Sequence, residues 1–243
     1  MKQYKNYIFD LDGTLLDTLG DLAASTNYAL RHFGLPERSI DEVRQFVGNG
    51  VRKLIERAVA GTSVMPSPTP TAKSSDSLVG SVGSSVVGNP SEVITVDDVL
   101  KVFQQHYLHH NLDTTKPYDG IIHALETLKG RGCGLAVVSN KFDKATKGLC
   151  AHFFGSLIDA AIGENEAAGI RKKPAPDSVL EAMRLLRATP DDTVYVGDSD
   201  VDILTARNAS LPCISVLWGF RDKDFLIRSG ATTFIEKASE LEL

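Results

Sequence analysis

The chain has 243 residues, 42% hydrophobic and 23% charged, with a formal net charge of −5. This profile fits a globular protein of one large or two small domains. It gives no broad basic surface, which argues against nucleic acid as a partner, and no apolar stretch reaches membrane-spanning length. The three cysteines, Cys133, Cys150 and Cys213, are widely spaced and no charged-then-apolar leader precedes the first strand, so the expectation is a cytoplasmic protein with reduced thiols.

In chain order, residues 7–9 (Tyr-Ile-Phe) read as a buried strand, stopped by Gly13 and Thr14. Helical spacing follows over 21–33, closed by Gly34 and Pro36, and again over 39–46, 51–60 and 97–112. Beyond residue 118 helices and strands alternate: helix 120–130, strand 134–138, helix 141–153, strand 157–162, helix 176–187, strand 193–196, helix 200–208, strand 212–217 and a last apolar run at 232–235. Alternation with short connections predicts a parallel α/β sheet. A wholly helical block separates the first strand from the others, so the pattern itself suggests an inserted helical subdomain. Residues 1–16 and 117–243 are read as the α/β core and 17–116 as the insertion. Within it, Ser, Thr, Pro and Gly make up 19 of the 30 residues 62–91. That is too many to support a helix face and predicts a low-complexity insertion.

Asp10 and Asp12 stand two positions apart where the chain leaves the first strand, the sheet edge at which open parallel sheets bind ligands. Two acids there permit a division of labour, one ionised as nucleophile and the other protonated as general acid. Spacing alone does not say which is which. Ser139 and Asn140 close the strand at 134–138. A hydroxyl and a free N–H at a strand-to-helix turn suit phosphate oxygens, and serve equally as a helix cap. Residues 171–177, Arg-Lys-Lys-Pro-Ala-Pro-Asp, set cations before a helix start. The strand at 193–196 opens into Gly197-Asp198-Ser199-Asp200-Val201-Asp202, and Asp202 lies one helical turn beyond Asp198, so both can face one site. Clustered carboxylates need counter-charge, and oxygen-only ligands favour Mg²⁺. In the helical block, Gly48-Asn49-Gly50 followed by Arg52 offers N–H groups and a guanidinium to a small carboxylate, or simply starts a helix. His106 and His110 are spaced four apart but lack further ligands, and read as a helix face.

Four elements therefore stand in register: DxDGT at 10–14, the strand-closing Ser139, Lys173, and GDxxxD at 197–202. With them the chain resembles the phosphatases of the haloacid dehalogenase superfamily, most of all the phosphoglycolate phosphatase branch. Gly48-Asn49-Gly50, Val138-Ser139-Asn140-Lys141, Lys173-Pro174-Ala175-Pro176-Asp177 and Trp218-Gly219-Phe220-Arg221 match that branch. The resemblance spans nearly the whole chain except residues 62–91.

The resemblance implies a Rossmann-like parallel core, a helical cap inserted after the first strand, and phosphomonoester hydrolysis through an aspartyl-phosphate. It implies Asp10 as nucleophile and Asp12 as general acid. Lys173, which directly precedes the Pro, takes precedence over Arg171 and Lys172 as the cation bridging Asp10 and the phosphate. The implied Mg²⁺ ligands are the Asp10 carboxylate, the Asp12 backbone carbonyl and Asp198, with Asp202 on a metal-bound water or orienting Lys173. Thr14 shapes the turn or bonds the phosphate, Ser139 and Asn140 hold phosphate oxygens, and Gly48, Asn49, Gly50 and Arg52 read the substrate. That substrate is expected to be 2-phosphoglycolate or a similarly small phosphorylated metabolite. Pyrophosphate, a sugar phosphate or a nucleotide are alternatives of the same design. A phospholigand sensor is the alternative outside catalysis, disfavoured by the intact acidic set. Whether the chain is a monomer or a homodimer is left open.

Overall fold

A computed structural model gives the structure over residues 3–66 and 93–242, so nearly all of the expected low-complexity insertion lies outside the described residues. The chain begins with β1 (Asn6–Phe9) and the two-residue β2 (Leu16–Asp17). Four helices follow: α1 (Leu19–His32), α2 (Ile40–Phe46), α3 (Val51–Ala58) and α4 (Val96–His110). β3 (Lys116–Pro117) then returns antiparallel to β2. The remainder alternates: α5 (Ile121–Gly130), β4 (Gly134–Phe142), α6 (Asp143–Phe153), β5 (Ala160–Glu164), α7 (Asp177–Leu186), β6 (Thr193–Gly197), α8 (Asp200–Asn208), β7 (Cys213–Val216), α9 (Lys223–Arg228) and β8 (Phe234–Ile235).

Six strands form one parallel sheet in the order β5-β4-β1-β6-β7-β8. The two-residue period of a strand decides what each face buries. Tyr7 and Phe9 turn to one face, against Leu125 and Leu128 of α5 and Leu149 of α6. Ile8 turns to the other, against Val179 and Ala182 of α7 and Ala206 of α8. Both faces are covered, which is why β1 reads as a continuous apolar run. The chain order reverses around β1, between β4 and β6. The carboxyl ends of these strands flank the crevice in which such sheets bind ligands.

The four helices of the insertion build a core of their own from Leu22, Leu30, Val43, Leu54, Ile55, Val99, Phe103 and Tyr107. α2 and α4 each start with a capping box, Ser39 with Glu42 and Thr95 with Asp98. Each box satisfies N–H groups that a helix start leaves unpaired. Ala145 of α6 joins the cap core, and Phe142 and Phe220 pack against it, so the cap is seated on the sheet domain. The two crossings are fastened together. Buried Asp21 of α1 accepts the Thr114 and Thr115 amides at 2.9 and 3.0 Å and both their hydroxyls at 2.5 and 2.7 Å. Tyr118 N–H donates to the Leu15 carbonyl at 3.1 Å.

The structure departs from the sequence reading at short elements. The β2–β3 ribbon and α9 were not expected, because two to six residues carry too little periodicity to register. The strand expected at 157–162 begins at Ala160, after a helical turn over Gly155–Leu157. β4 runs on through Phe142 with a register shift against β5 between Val138 and Phe142, so Ser139, Asn140 and Lys141 lie within it. No helix among the described residues is long and apolar enough to cross a membrane.

Candidate active site

β1, β4 and β6 deliver their carboxyl ends to one cleft under the cap, and the segment before α7 adds Lys173. The cleft is lined by Asp10, Asp12, Ser139, Asn140, Lys141, Asp198 and Ser199 from the core. Gly48, Gly50, Val51 and Leu54 close it from the cap, with Phe220 and Arg221 from the loop after β7.

The Asp10 amide is fixed to the Val196 carbonyl at 2.9 Å, extending the β1–β6 pairing by one residue. The Asp10 side chain is nearly buried. Its Oδ1 accepts the Leu11 N–H at 2.6 Å and meets the Lys173 ammonium at 2.9 Å. That ammonium is shared with Asp202 Oδ1 at 2.8 Å and the Tyr195 hydroxyl at 3.1 Å. Tyr195 O–H in turn donates to Asp202 Oδ1 at 2.9 Å. The other Asp202 oxygen caps α8, accepting the Asp198 and Ser199 amides at 3.2 and 3.1 Å and the Ser199 hydroxyl at 2.6 Å. Both oxygens of Asp202 are thus engaged. Of the two roles expected for it, orientation of Lys173 is the one its contacts describe.

Asp198 is held between the Thr14 hydroxyl at 3.2 Å and the Phe220 amide at 2.7 Å. Gly13, with φ of +84°, lies against it, and a Cβ there would collide with the Asp198 carboxylate. The DxDGT turn therefore needs glycine for conformation and for close approach.

Asp10, Asp198 and Asp202 each bring an oxygen within 4.8 Å of the others. Burial, and then the charge of Asp202, push Asp10 well above the usual carboxylate range and lift Asp198 to about 7. Burial would likewise raise Asp202, but Lys173 together with the hydrogen bonds from Ser199 and Tyr195 holds it below the ordinary value. Burial alone would lower Lys173, and the carboxylates of Asp10 and Asp202 override it and raise it. Of these three buried carboxylates, Asp10 and Asp202 contact one buried ammonium, that of Lys173, and Asp198 has none in contact among the described residues. This oxygen-rich, charge-deficient cluster fits a small divalent cation.

The remaining expected site residues divide. Ser139 lines the cleft, and its hydroxyl oxygen accepts the Lys141 amide at 3.2 Å. Asn140 braces neighbours. Its amide nitrogen donates to the Gly48 and Lys173 carbonyls at 3.2 and 3.0 Å, and its oxygen accepts the Lys173 amide at 2.7 Å. Gly48 and Gly50 line the cleft, but the Asn49 side chain turns back to accept Arg57 at 2.7 Å. Thr14 is fully buried, with its hydroxyl donating to the Asp198 carboxylate at 3.2 Å. Arg52 is a correction. Its side chain is 44% exposed, pairs with Asp97 of α4, and is absent from the cleft lining.

Two cations in the lining, Lys141 and Arg221, carried no expected role. Arg221 reaches across to the cap and donates to the Arg44 and Val47 carbonyls at 2.7 and 2.9 Å, at the end of α2. Lys141 is buried and paired with Asp12 at 3.2 Å. The available signal for Lys141 was its position: a lysine continuing an apolar strand must find a partner.

Comparison with known proteins agrees with this geometry. The family model described as haloacid dehalogenase-like hydrolase matches residues 7–216. The chain belongs to the haloacid dehalogenase-like hydrolases. Within that family it is 31% identical over 214 residues to a phosphoglycolate phosphatase of Aquifex aeolicus (strain VF5), covering 88% of this chain and 84% of that protein. It is 33% identical over 224 residues to one of Mesorhizobium japonicum, covering 89% and 84%. A crystal structure from Lactobacillus delbrueckii subsp. bulgaricus, described as a candidate phosphoglycolate phosphatase, superposes with a TM-score of 0.81 at 35% identity, over 99% of this chain and 98% of that one. As a haloacid dehalogenase-like hydrolase the chain is an enzyme, with the helical cap on its α/β core.

Proposed function

We propose that the protein is a Mg²⁺-dependent phosphomonoester hydrolase working through an aspartyl-phosphate on Asp10, with 2-phosphoglycolate or a similarly small phosphorylated metabolite as substrate. The observation that carries this reading is the separate anchoring of the two acids on one turn. Asp10 bonds through Oδ1 to Lys173 and the Leu11 amide, while Asp12 is held by Thr18 and Lys141. Among the described residues no hydrogen bond falls on Asp10 Oδ2, which leaves that oxygen for attack on phosphorus. The names carried by the curated relatives support the choice of substrate.

In the first half-reaction Asp10 Oδ2 bonds to phosphorus as the bond to the leaving oxygen breaks. Asp12, as its acid, gives the leaving oxygen a proton. In the second, water attacks phosphorus, Asp12 takes a proton from it, and the Asp10 carboxylate is released with inorganic phosphate. Lys173 holds Asp10 in its attacking orientation, and Ser139, in the cleft lining, would offer its hydroxyl to a phosphoryl oxygen. Asp10, the Asp12 carbonyl and Asp198 would hold Mg²⁺, whose charge would offset that of the phosphoryl oxygens.

The test is Asp10→Asn. Turnover of 2-phosphoglycolate with Mg²⁺ should vanish while the thermal transition persists. Wild-type protein quenched in acid during turnover should carry phosphate on Asp10. A variant that keeps more than about one-hundredth of the wild-type rate sinks the nucleophile assignment, since nucleophile loss typically costs far more. Wild-type activity undiminished in chelator sinks the metal.

A further inference from the structure

Lys141 is a buried cation to which the proposed chemistry gives no task. Its side chain is 1% exposed, and an ammonium so buried must be paired. Its nitrogen lies 3.2 Å from Asp12 Oδ2, 2.8 Å from the Tyr107 hydroxyl and 4.5 Å from the Tyr107 ring centroid. Tyr107 belongs to α4 of the cap, where it is fully buried and stacked on Phe103. The other oxygen of Asp12 accepts the Thr18 hydroxyl at 2.6 Å, and Thr18 is the first residue before α1. Asp10 is gripped wholly by the core. Both grips on Asp12 lead to the cap: one through Thr18, the other through Lys141 and Tyr107.

We propose that Lys141, held by Tyr107, is the positioning residue for Asp12, fixing its carboxyl toward the leaving oxygen only while α4 is seated on the core. This rests on the reading of Asp12 as general acid. When Asp12 gives its proton to the leaving oxygen, the adjacent ammonium stabilises the carboxylate that remains. When Asp12 takes a proton from water, the same contact keeps its orientation. Lys141 itself gains and loses no proton. Tying the acid to the cap confines proton donation to the closed cleft, where bulk water is excluded.

The experiment reads the first turnover, so that only phosphoryl transfer to Asp10 is followed. It compares 2-phosphoglycolate, whose alkoxide needs a proton, with para-nitrophenyl phosphate, whose phenolate leaves without one. Lys141→Met should slow the alkyl substrate about tenfold to a hundredfold, a large part of what a general acid supplies, and the aryl substrate less than about threefold. Tyr107→Phe keeps the ring and loses only the hydroxyl. It should show the same selectivity at about threefold to tenfold, and it carries the test if Lys141→Met does not fold. Equal losses on both substrates, or no loss on the alkyl one, overturn the proposal. Asp12→Asn is measured alongside. If it is selective and the other two variants are not, only the positioning role fails. If it slows both substrates equally, the general-acid reading fails, and this inference with it.

Discussion

Asp198 makes the metal reading testable without an activity assay. Burial, and next the charge of Asp202, move its carboxyl from an ordinary 3.8 to about 7 in the folded protein. Without metal, the folded chain keeps a proton between about pH 4 and about pH 7 that the unfolded chain has released, so stability falls as pH rises through that window and levels above it. Three units at about 1.4 kcal/mol each amount to about 4 kcal/mol. For a chain of this size that is about 10 °C in melting temperature. Asp10 is raised too and acts in the same direction. Asp202 is depressed, so its contribution is lost only as pH falls below the ordinary carboxylate range, outside the window. His106 is lowered, first by burial, and works in the opposite sense below its ordinary 6.5. The comparison with Asp198→Asn cancels it. The assay is thermal unfolding by circular dichroism in chelator, from about pH 5 to about pH 8, and then with millimolar Mg²⁺. Wild type should lose stability toward high pH and regain it with Mg²⁺; Asp198→Asn, which keeps the raised Asp10, should lose clearly less and regain clearly less. Parallel pH profiles for the two proteins, or equal rescue by Mg²⁺, would refute the charge-deficit argument.

Other substitutions test the rest of the site. Gly13→Ala should cost at least about 1–2 kcal/mol for the left-handed backbone alone and abolish activity by displacing Asp198, read by melting temperature and turnover together. Arg221→Met should loosen the cap by removing its bonds to the end of α2, seen as a KM about threefold to tenfold higher on alkyl and aryl phosphates alike. Arg52→Ala should leave turnover unchanged and shift stability by less than about 1 kcal/mol, because its pair with Asp97 is exposed. Selective loss on 2-phosphoglycolate would return Arg52 to the substrate site.

The sequence by itself determined the architecture and marked the acids that the fold gathers in the candidate site. Alternating apolar periods fixed a parallel sheet, because a strand buried on both faces and a helix buried on one leave different signatures in the order of residues. The DxDGT and GDxxxD turns marked Asp10, Asp12, Asp198 and Asp202, because tight turns at strand ends demand glycine and short acids within a few positions of each other. Spacing alone leaves Arg171, Lys172 and Lys173 as candidates, and only the family resemblance singles out Lys173; the fold brings Lys173 to Asp10 and Asp202. What the tertiary structure decided were the partnerships made across large separations. Thr14 meets Asp198 across 184 positions, and Lys141 meets Tyr107 across 34. No local pattern encodes such pairs. Arg52 shows the converse. Its spacing beside Gly50 fitted a substrate ligand, yet the packing of α3 on α4 brought it to Asp97 on the cap surface. Arg221, in a loop with no periodicity to place it, spans from the sheet to the cap. Side-chain direction depends on how whole elements dock. That docking is set by apolar surfaces shared between distant segments, so it appears only when the chain is folded.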